Sequence, residues 1–465
     1  MLKIIFIREL QHYIYSLRFH IALALVILIY CIVTVSYIFE HKEQKINYDN
    51  LSKEQEEYHR VQAEKSATEF AIRNKIFGAE PRNSGFISSC KEEIIPNIII
   101  YSAYNVFGYE ISTGKNNPFL LQSENVNWSF IIIMLFSFLA IIFSFDAVSG
   151  EKESCTLALC MSNRVSGNTL LLGKFIAITT VLSVFALLGS ILSIAIITAV
   201  PDIMITFNTL LELLGFIILV FLLIACISAI GLMSSVISYN SNISLLVSLS
   251  LWLVFLFVIP NSALLFSGKL FPADKEEIVA EKSRKSREEI EASYPEGKWS
   301  SRGNDLFYPR HEIRANMQMD FMLSKKKFYD DWYNQLFRQY ENTRKLTWIS
   351  PFALFELGTE AMLDGGYYRF KKNWHGMQNY QTQLLQFFKE FDGNDKESPH
   401  WYNPYENYST TIKSCAFEEV PRYTERTLPM MKRISNMIVY IVLLALYTFI
   451  VFSFAIIRFK NYDVR

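Results

Sequence analysis

The sequence predicts a predominantly α, polytopic membrane protein with six transmembrane helices and a mainly helical extracytoplasmic domain built from two insertions. Three observations lead there. Apolar residues make up 51% of the 465, a share that places a chain with long apolar runs in a bilayer. Six runs are long enough to cross, since a span needs roughly 20 apolar residues rising about 1.5 Å each. Two long intervals between the runs are instead rich in charge, Tyr, Trp and Asn. The 45 Lys and Arg balance the 45 Asp and Glu, so no charge surplus points to nucleic acid or another polyanion as partner.

The runs lie near 19–39, 128–145, 175–200, 213–237, 243–260 and 437–457. Residues 1–39 read as an interfacial helix and the first span. Its apolar run is long and no small-x-small pattern precedes "FEHKEQK", so it reads as an anchor and not as a cleaved signal. Residues 40–127 form the first polar region, where "NLSKEQEEYHRVQAEKSATEFAIRNKIF" has the helix propensity and the opposite charges three and four apart of a solvated helix. Residues 128–260 hold the second to fifth spans, with a cytoplasmic segment at 146–174. Residues 261–436 are the large second polar region, with another solvated helix in "ADKEEIVAEKSRKSREEIEASY" and a loop in "FDGNDKESPHWYNPYENYS". Residues 437–465 are the last span and a tail.

Orientation follows from basic residues near span ends. Lys3, Arg8 and Arg18, then Lys152, Arg164 and Lys174, then Arg458, Lys460 and Arg465 all fall on one side of a six-span chain. That side reads as the cytoplasm of a plasma (inner) membrane protein, with both termini inside and both polar regions outside. Lys432 and Arg433 oppose the assignment, two charges against nine.

Catalytic signatures are few. The chain has no His-Glu-x-x-His, Cys-x-x-Cys or Gly-x-Ser-x-Gly. "GYEISTGKN", from Gly108, has one residue too many between its glycines for a phosphate loop, and Asn116 where a Mg-binding hydroxyl is needed. No cofactor or metal is expected on this chain. Of the six cysteines, Cys90 and Cys415 lie in the two external regions, where they either pair as a disulfide or stay buried thiols. His311 with Met317, Met319 and Met322 has the donors of a soft-metal site, but Met at helical spacing reads as core filling. Phe352, Phe355 and Met362, then Tyr380, Leu384, Phe387 and Phe391, likewise recur at helical spacing and read as a packed core. Glu212 and His20, near span ends, are the ionisable groups that a polytopic membrane enzyme would have to use. A receptor with an external ligand-binding domain would need a cytoplasmic output domain, and "RFKNYDVR" is too short to be one.

The informative stretch is "FDAVSGEKESCTLALCMSNRVSGNTLLLGK", 145–174. Asp146 marks a membrane exit. Ser149 reads as the N-cap of a helix with Glu151 and Glu153 in its first turns, complementing the helix dipole. Thr156, Leu157 and Leu159 then lie on a short amphipathic segment. A solvated turn would explain the charges but not this helix-forming segment.

The stretch resembles the signature of ABC-2 type transporter permeases in Asp146, Ser149, Gly150, Glu151, Lys152, Glu153, Thr156, Leu157, Ser162, Asn163, Val165, Ser166, Gly173 and Lys174. Cys155, Arg164 and Gly167 stand where that pattern carries Gly, Pro and Arg. "LKIIFIRELQHYIYSLRFHIAL" resembles the family's interfacial helix, and "SPFALFELGTEAMLDGGYYRFKKNW" the branch with a large external insertion before the last span, the DUF3526-type permeases. The resemblance implies a permease subunit of an exporter-type ABC complex, as a homodimer or with a paralogous permease. It also implies a coupling helix, with Asp146, Gly150, Glu151, Glu153, Thr156 and Leu157 docking on a separate ATPase subunit that binds the ATP. A rigid helix tied to two spans would pass on a push from that subunit. Glu151 and Glu153, two residues apart, point to different sides, so at least one is expected to face the partner.

Overall fold

The computed structural model describes all residues except 93–97, 105–107, 111–125, 163–165, 202, 296–299, 303–304, 308–310, 402–409 and 462–465. Among the described residues, six helices are long and apolar enough to cross a membrane: Leu17–Lys65, Trp128–Glu153, Gly167–Thr198, Phe207–Ile237, Ser241–Leu270 and Met430–Lys460. Each contains one predicted run, and several begin earlier than the run does. Polar caps are the reason. Ser166 accepts from the Thr169 N–H, Thr206 and Thr209 form a reciprocal capping box, and Asn240 accepts from the Ile243 N–H at 2.9 Å. These residues start helices but are invisible to hydropathy.

In chain order, α1 (Leu2–Ile14) is a short helix that ends two residues before the Ser16 cap of α2 (Leu17–Lys65). The first span and the solvated helix expected after it are thus one rod of 49 residues, roughly 70 Å long. Next come α3 (Ala67–Ile72) and an antiparallel sheet of β1 (Lys75–Gly78), β2 (Ile98–Tyr101) and β3 (Gly108–Glu110), with Lys75 opposite Tyr101 and Ile98 opposite Glu110. The second span combines α4 (Trp128–Ile131), a π turn (Ile132–Phe136), α5 (Ser137–Ser144) and α6 (Ser149–Glu153). After α7 (Thr156–Ser162), α8 (Gly167–Thr198) and α9 (Phe207–Ile237) are the third and fourth spans. The fifth is α10 (Ser241–Leu253), a π turn (Val254–Val258) and α11 (Ile259–Leu270). Then follow α12 (Glu276–Ser293), a hairpin of β4 (Ser300–Arg302) and β5 (Asp305–Phe307), α13 (His311–Leu346), α14 (Pro351–Leu363), α15 (Gly366–Gly393) and the sixth span, α16 (Met430–Lys460).

The bundle is organised around α9, which packs on α16, α5, α8 and α14. Small residues let the backbones close in. A Cβ on Gly231 would meet Ser144 of α5, and one on Gly189 of α8 would strike the Tyr30 ring of α2. This is the packing expected where apolar side chains gain little from leaving lipid.

The second polar region does not stay apart from the bundle. Capped by Ser350 and begun by Pro351, α14 is buried along its whole length between α9 and α16, with the Phe355 ring 5.7 Å from that of Phe216. It stops at Asp364, in the left-handed region at φ 51°, and Gly366 at φ 55° completes the reversal into α15. Phe352, Phe355 and Met362 therefore are packed core, in the bundle, while Tyr380 and Leu384 belong to a second core, with Phe387 and Phe391 against it.

That second core joins the two polar regions into one head. The Cys415 N–H donates to the Ala63 carbonyl at 3.1 Å, Ala67 N–H to Lys413 O at 2.9 Å, and Gln381 Nε2 to Ser102 O at 2.9 Å. Met317 is buried and Met319 and Met322 pack against this core, as core filling requires. Cys90 and Cys415 are both buried free thiols, the first in the bundle core and the second in the head core. The disulfide weighed for them is not formed, because each thiol belongs to a different core. The phosphate-loop-like stretch ends in 111–116, outside the described residues.

Candidate functional site

The 146–174 segment is put together by long-range contacts. The Val148 and Ser149 N–H groups both donate to the Ser235 Oγ of α9 at 2.9 Å. Ser235 thus does what was expected of Ser149, which is the first residue of α6 and turns its own hydroxyl back onto the Phe145 carbonyl at 2.9 Å. The expected single helix is two. Cys155, at φ 57°, breaks it between α6 and α7. This is the position where the family pattern carries Gly, the residue that adopts positive φ without steric cost.

Among the described residues, each charge of the segment finds a partner within the chain. Asp146 Oδ2 pairs with Arg18 at 2.6 Å, at the foot of α2. Glu151 Oε1 is 2.8 Å from Lys174 Nζ, and the same ammonium reaches Glu9 Oε1 of α1 at 3.1 Å. Lys152 Nζ donates to the carbonyls of Val236 at 2.5 Å and Ser238 at 2.9 Å, where α9 ends. Glu153 accepts from both Ser241 N–H and Ser241 Oγ at 2.9 Å, where α10 begins. A cation at a helix C-terminus and a carboxylate at an N-terminus are the pairings the helix dipole favours. Four consecutive spans and α1 are therefore tied to α6. Gly150 sits against Ser241, and Leu157 is buried in the bundle core. Of Glu151 and Glu153, at least one of which was expected to face outward, Glu151 is partly buried on Lys174 and Glu153 is exposed while it holds Ser241. Among the described residues of the segment, Glu153, Ser154, Cys155, Thr156 and Ala158 form one exposed strip, and Ser166 is exposed at the start of α8.

Against this geometry, the sequence profile of ABC-2 family transporter proteins matches residues 3–464. The chain belongs to the ABC-2 transporter family. It is a membrane subunit of an ABC transporter, a class in which a separate ABC ATPase supplies the hydrolysis. No curated protein and no solved structure matches the chain.

In this ABC-2 permease the two ionisable groups noted near span ends lie at opposite ends of the bundle. His20, near the start of α2, contacts the Ser16 carbonyl at 3.0 Å. Glu212, near the start of α9, pairs with Arg433 of α16 at 2.6 Å, both side chains nearly inaccessible. They do not converge on one site. Arg433 is spent on Glu212, so of the two basic residues in the first turn of α16 only Lys432 faces solvent.

Sequence reading passed over Glu9, Ser235 and Ser241. Glu9 had a signal: it is the only acidic residue before Glu40, so a lone carboxylate in an apolar interfacial helix needed a cation. Nothing in the serines themselves marks Ser235 and Ser241, because their role is set by where α9 ends and α10 begins. Residues 163–165, including Arg164, lie outside the described residues.

Proposed function

We infer that this permease is an exporter-type subunit in which the 153–158 strip docks on the ATPase and α6 passes the resulting push to the spans. The observation that carries the reading is the division of labour in the segment. Its charged residues brace α1 and the second to fifth spans, while Ser154, Cys155, Thr156 and Ala158 are left facing solvent. A surface clamped to several helices moves them as a body, whereas a loose loop would absorb the motion. Asp146, Gly150, Glu151, Glu153 and Leu157 then act in coupling as the brace, and Thr156 as part of the contact.

The same reading places the strip and both termini in the cytoplasm of a plasma (inner) membrane and the head outside, in the family branch with a large external insertion. The nine Lys and Arg near span ends on that side, against Lys432 and Arg433 on the other, support this. ATP is held by the partner, and a second permease, identical or paralogous, completes the pathway.

The test is Thr156→Arg with Ala158→Asp in the full chain expressed with its cognate ATPase. Both side chains are exposed, so the permease should keep its melting temperature. A desolvated charge at such an interface costs about 2–5 kcal/mol, so co-purification of the ATPase or transport-linked hydrolysis should fall by more than about 30-fold. A variant that assembles and transports at the normal rate would reduce the strip to a solvated turn.

A further inference from the structure

Among the described residues two π turns occur, Ile132–Phe136 in the second span and Val254–Val258 in the fifth. A π turn interrupts the regular α ladder and is one of the few places where a long helix bends. Each of these two divides its span into parts tied to different bodies. In the fifth span the outer part, α11, belongs with the second polar region. It packs on α13, Ser267 Oγ meets Thr343 Oγ1, and the Phe271 carbonyl just past its end accepts from Gln339 Nε2 at 2.7 Å. The inner part, α10, belongs with the 146–174 segment. Glu153 holds Ser241, and Ser244 Oγ donates to the Phe145 carbonyl at 2.6 Å. The second span repeats the division. Its outer part, α4, is fastened to the first polar region, with Trp128 N–H donating to Phe86 O at 3.0 Å and Ser129 N–H to Ile87 O at 2.9 Å. Its inner part, α5, packs on α9 and leads into α6.

The two π turns are joined to each other. Trp252 Nε1, two residues before the fifth-span turn, donates at 2.7 Å to Ser137 Oγ, directly after the second-span turn. Ser137 passes its own hydrogen to the Ile133 carbonyl inside that turn. The fifth-span turn is also latched from the head side, because the Ser350 Oγ that caps α14 donates to the Phe255 carbonyl at 2.6 Å. Ser137 and Ser350 are both buried, and in a bilayer core no water stands ready to replace either bond.

We propose that the paired π turns are the joint through which the head follows the 146–174 segment, with Trp252 and Ser137 as positioning residues that make the two spans bend together. A push on α6 moves α5, which runs into it, and α10, which Glu153 holds. The outer parts of the same spans are held by the polar regions, so the difference in motion falls on the turns between. A bend shared through one hydrogen bond keeps the two spans in step, whereas independent bends would shear α5 against α10. The proposal rests on the coupling reading of 153–158 for the source of the push.

The experiment uses the full chain with its cognate ATPase in lipid nanodiscs, with Cys155 replaced by Ser and nitroxides on Leu246→Cys of α10 and Leu265→Cys of α11. These side chains are 67% and 79% exposed and lie on either side of the fifth-span turn. Pulsed electron resonance reads the distance between them in complexes that carry one labelled copy. Trapping the ATPase with ATP and vanadate should shift that distance. Trp252→Phe, which keeps an aromatic ring and loses the N–H, and Ser137→Ala, which loses the acceptor, should each abolish the shift. The double variant should do no more than either alone, as expected of two ends of one bond. Ser137→Thr, which keeps the hydroxyl, should retain the shift, which general damage to packing would not allow. An unchanged distance on trapping in the otherwise unaltered chain would overturn the joint, and a shift that survives both single variants would overturn the pairing. The docking strip is read separately: normal ATPase binding by Thr156→Arg with Ala158→Asp would remove the strip, while the trapped distance would still decide the joint.

Discussion

Lys174 Nζ lies 2.8 Å from Glu151 Oε1 with 4% of the lysine side chain exposed, and it holds Glu9 at 3.1 Å on its other side. One ammonium therefore fixes α6 to the third span and to α1 at once. The Gly173 backbone beside it presses on Ile5, leaving no room for a Cβ.

Lys174→Met should destabilise the permease more than a packing loss would. It leaves two carboxylates facing an apolar side chain, and an unpaired buried charge costs about 3–5 kcal/mol. Removing both charges as well, as Glu9→Gln with Glu151→Gln, should restore most of the loss. Thermal unfolding of the detergent-solubilised full chain measures this. A single mutant that melts with the wild type would show that the triad is solvated and braces nothing.

Gly231→Ala tests the closest approach in the bundle. The new Cβ would overlap the Ser144 side chain, and overpacking of this kind costs about 1–3 kcal/mol. Ser144→Gly in the same chain should recover most of it, since the obstacle is one hydroxymethyl group. If the double mutant is no better than the single one, the α5–α9 contact is set elsewhere.

Lys75 gives the head a pH dependence. It is 1% exposed, donates to the Arg73 carbonyl at 3.0 Å and to that of Phe70, and lies 4.1 Å over the Phe70 ring. Burial nonetheless lowers its pKa from 10.5 to about 7, with Cys415 acting in the opposite sense. Between those values the unfolded chain holds a proton that the folded chain does not, so stability contributed at this site rises with pH and is lowest below about 7. Buried thiols and phenols titrate nearby, so the informative quantity is the wild type minus Lys75→Met. That difference should rise by about 1.4 kcal/mol per pH unit between about 7 and 9. A flat difference would mean that the ammonium keeps an ordinary pKa.

Orientation is open to direct measurement. With the exposed Cys155 replaced by Ser, single cysteines at Asn83 and Asn394, both exposed on the head, should react with a membrane-impermeant thiol reagent in intact cells. One at Asn461 should react only after the cells are broken. The reverse pattern would put 146–174 outside and remove its access to an ATPase.

The spans were legible because twenty apolar residues in a row have one stable place, and the pattern of caps then only moved their ends. The packed-core reading of Phe352, Phe355 and Met362 was legible for the same reason, as a helical period of apolar side chains. It did not say which core, and the structure placed α14 in the membrane bundle and not in the head. The short strands β1 to β3 escaped because a few β-branched residues between polar ones look alike in a strand and a buried turn. The site was half legible. The residues of 146–174 identified the family, and the Gly position taken by Cys155 proved to be a positive-φ break.

By itself, then, the sequence determined what depends on local composition: that the chain lives in a membrane, that it has six runs able to cross it, and that the residues carrying the family resemblance sit between the second and third spans. Tertiary structure alone decided what the charges there are for. Lys152 reaches carbonyls more than eighty residues away, Glu153 caps a helix that begins at Ser241, and Lys174 finds Glu9 at the other end of 165 residues. A charge has no periodicity that reveals its partner. Its free energy is fixed by the groups that folding brings within a few ångströms, and these are set by how the spans pack.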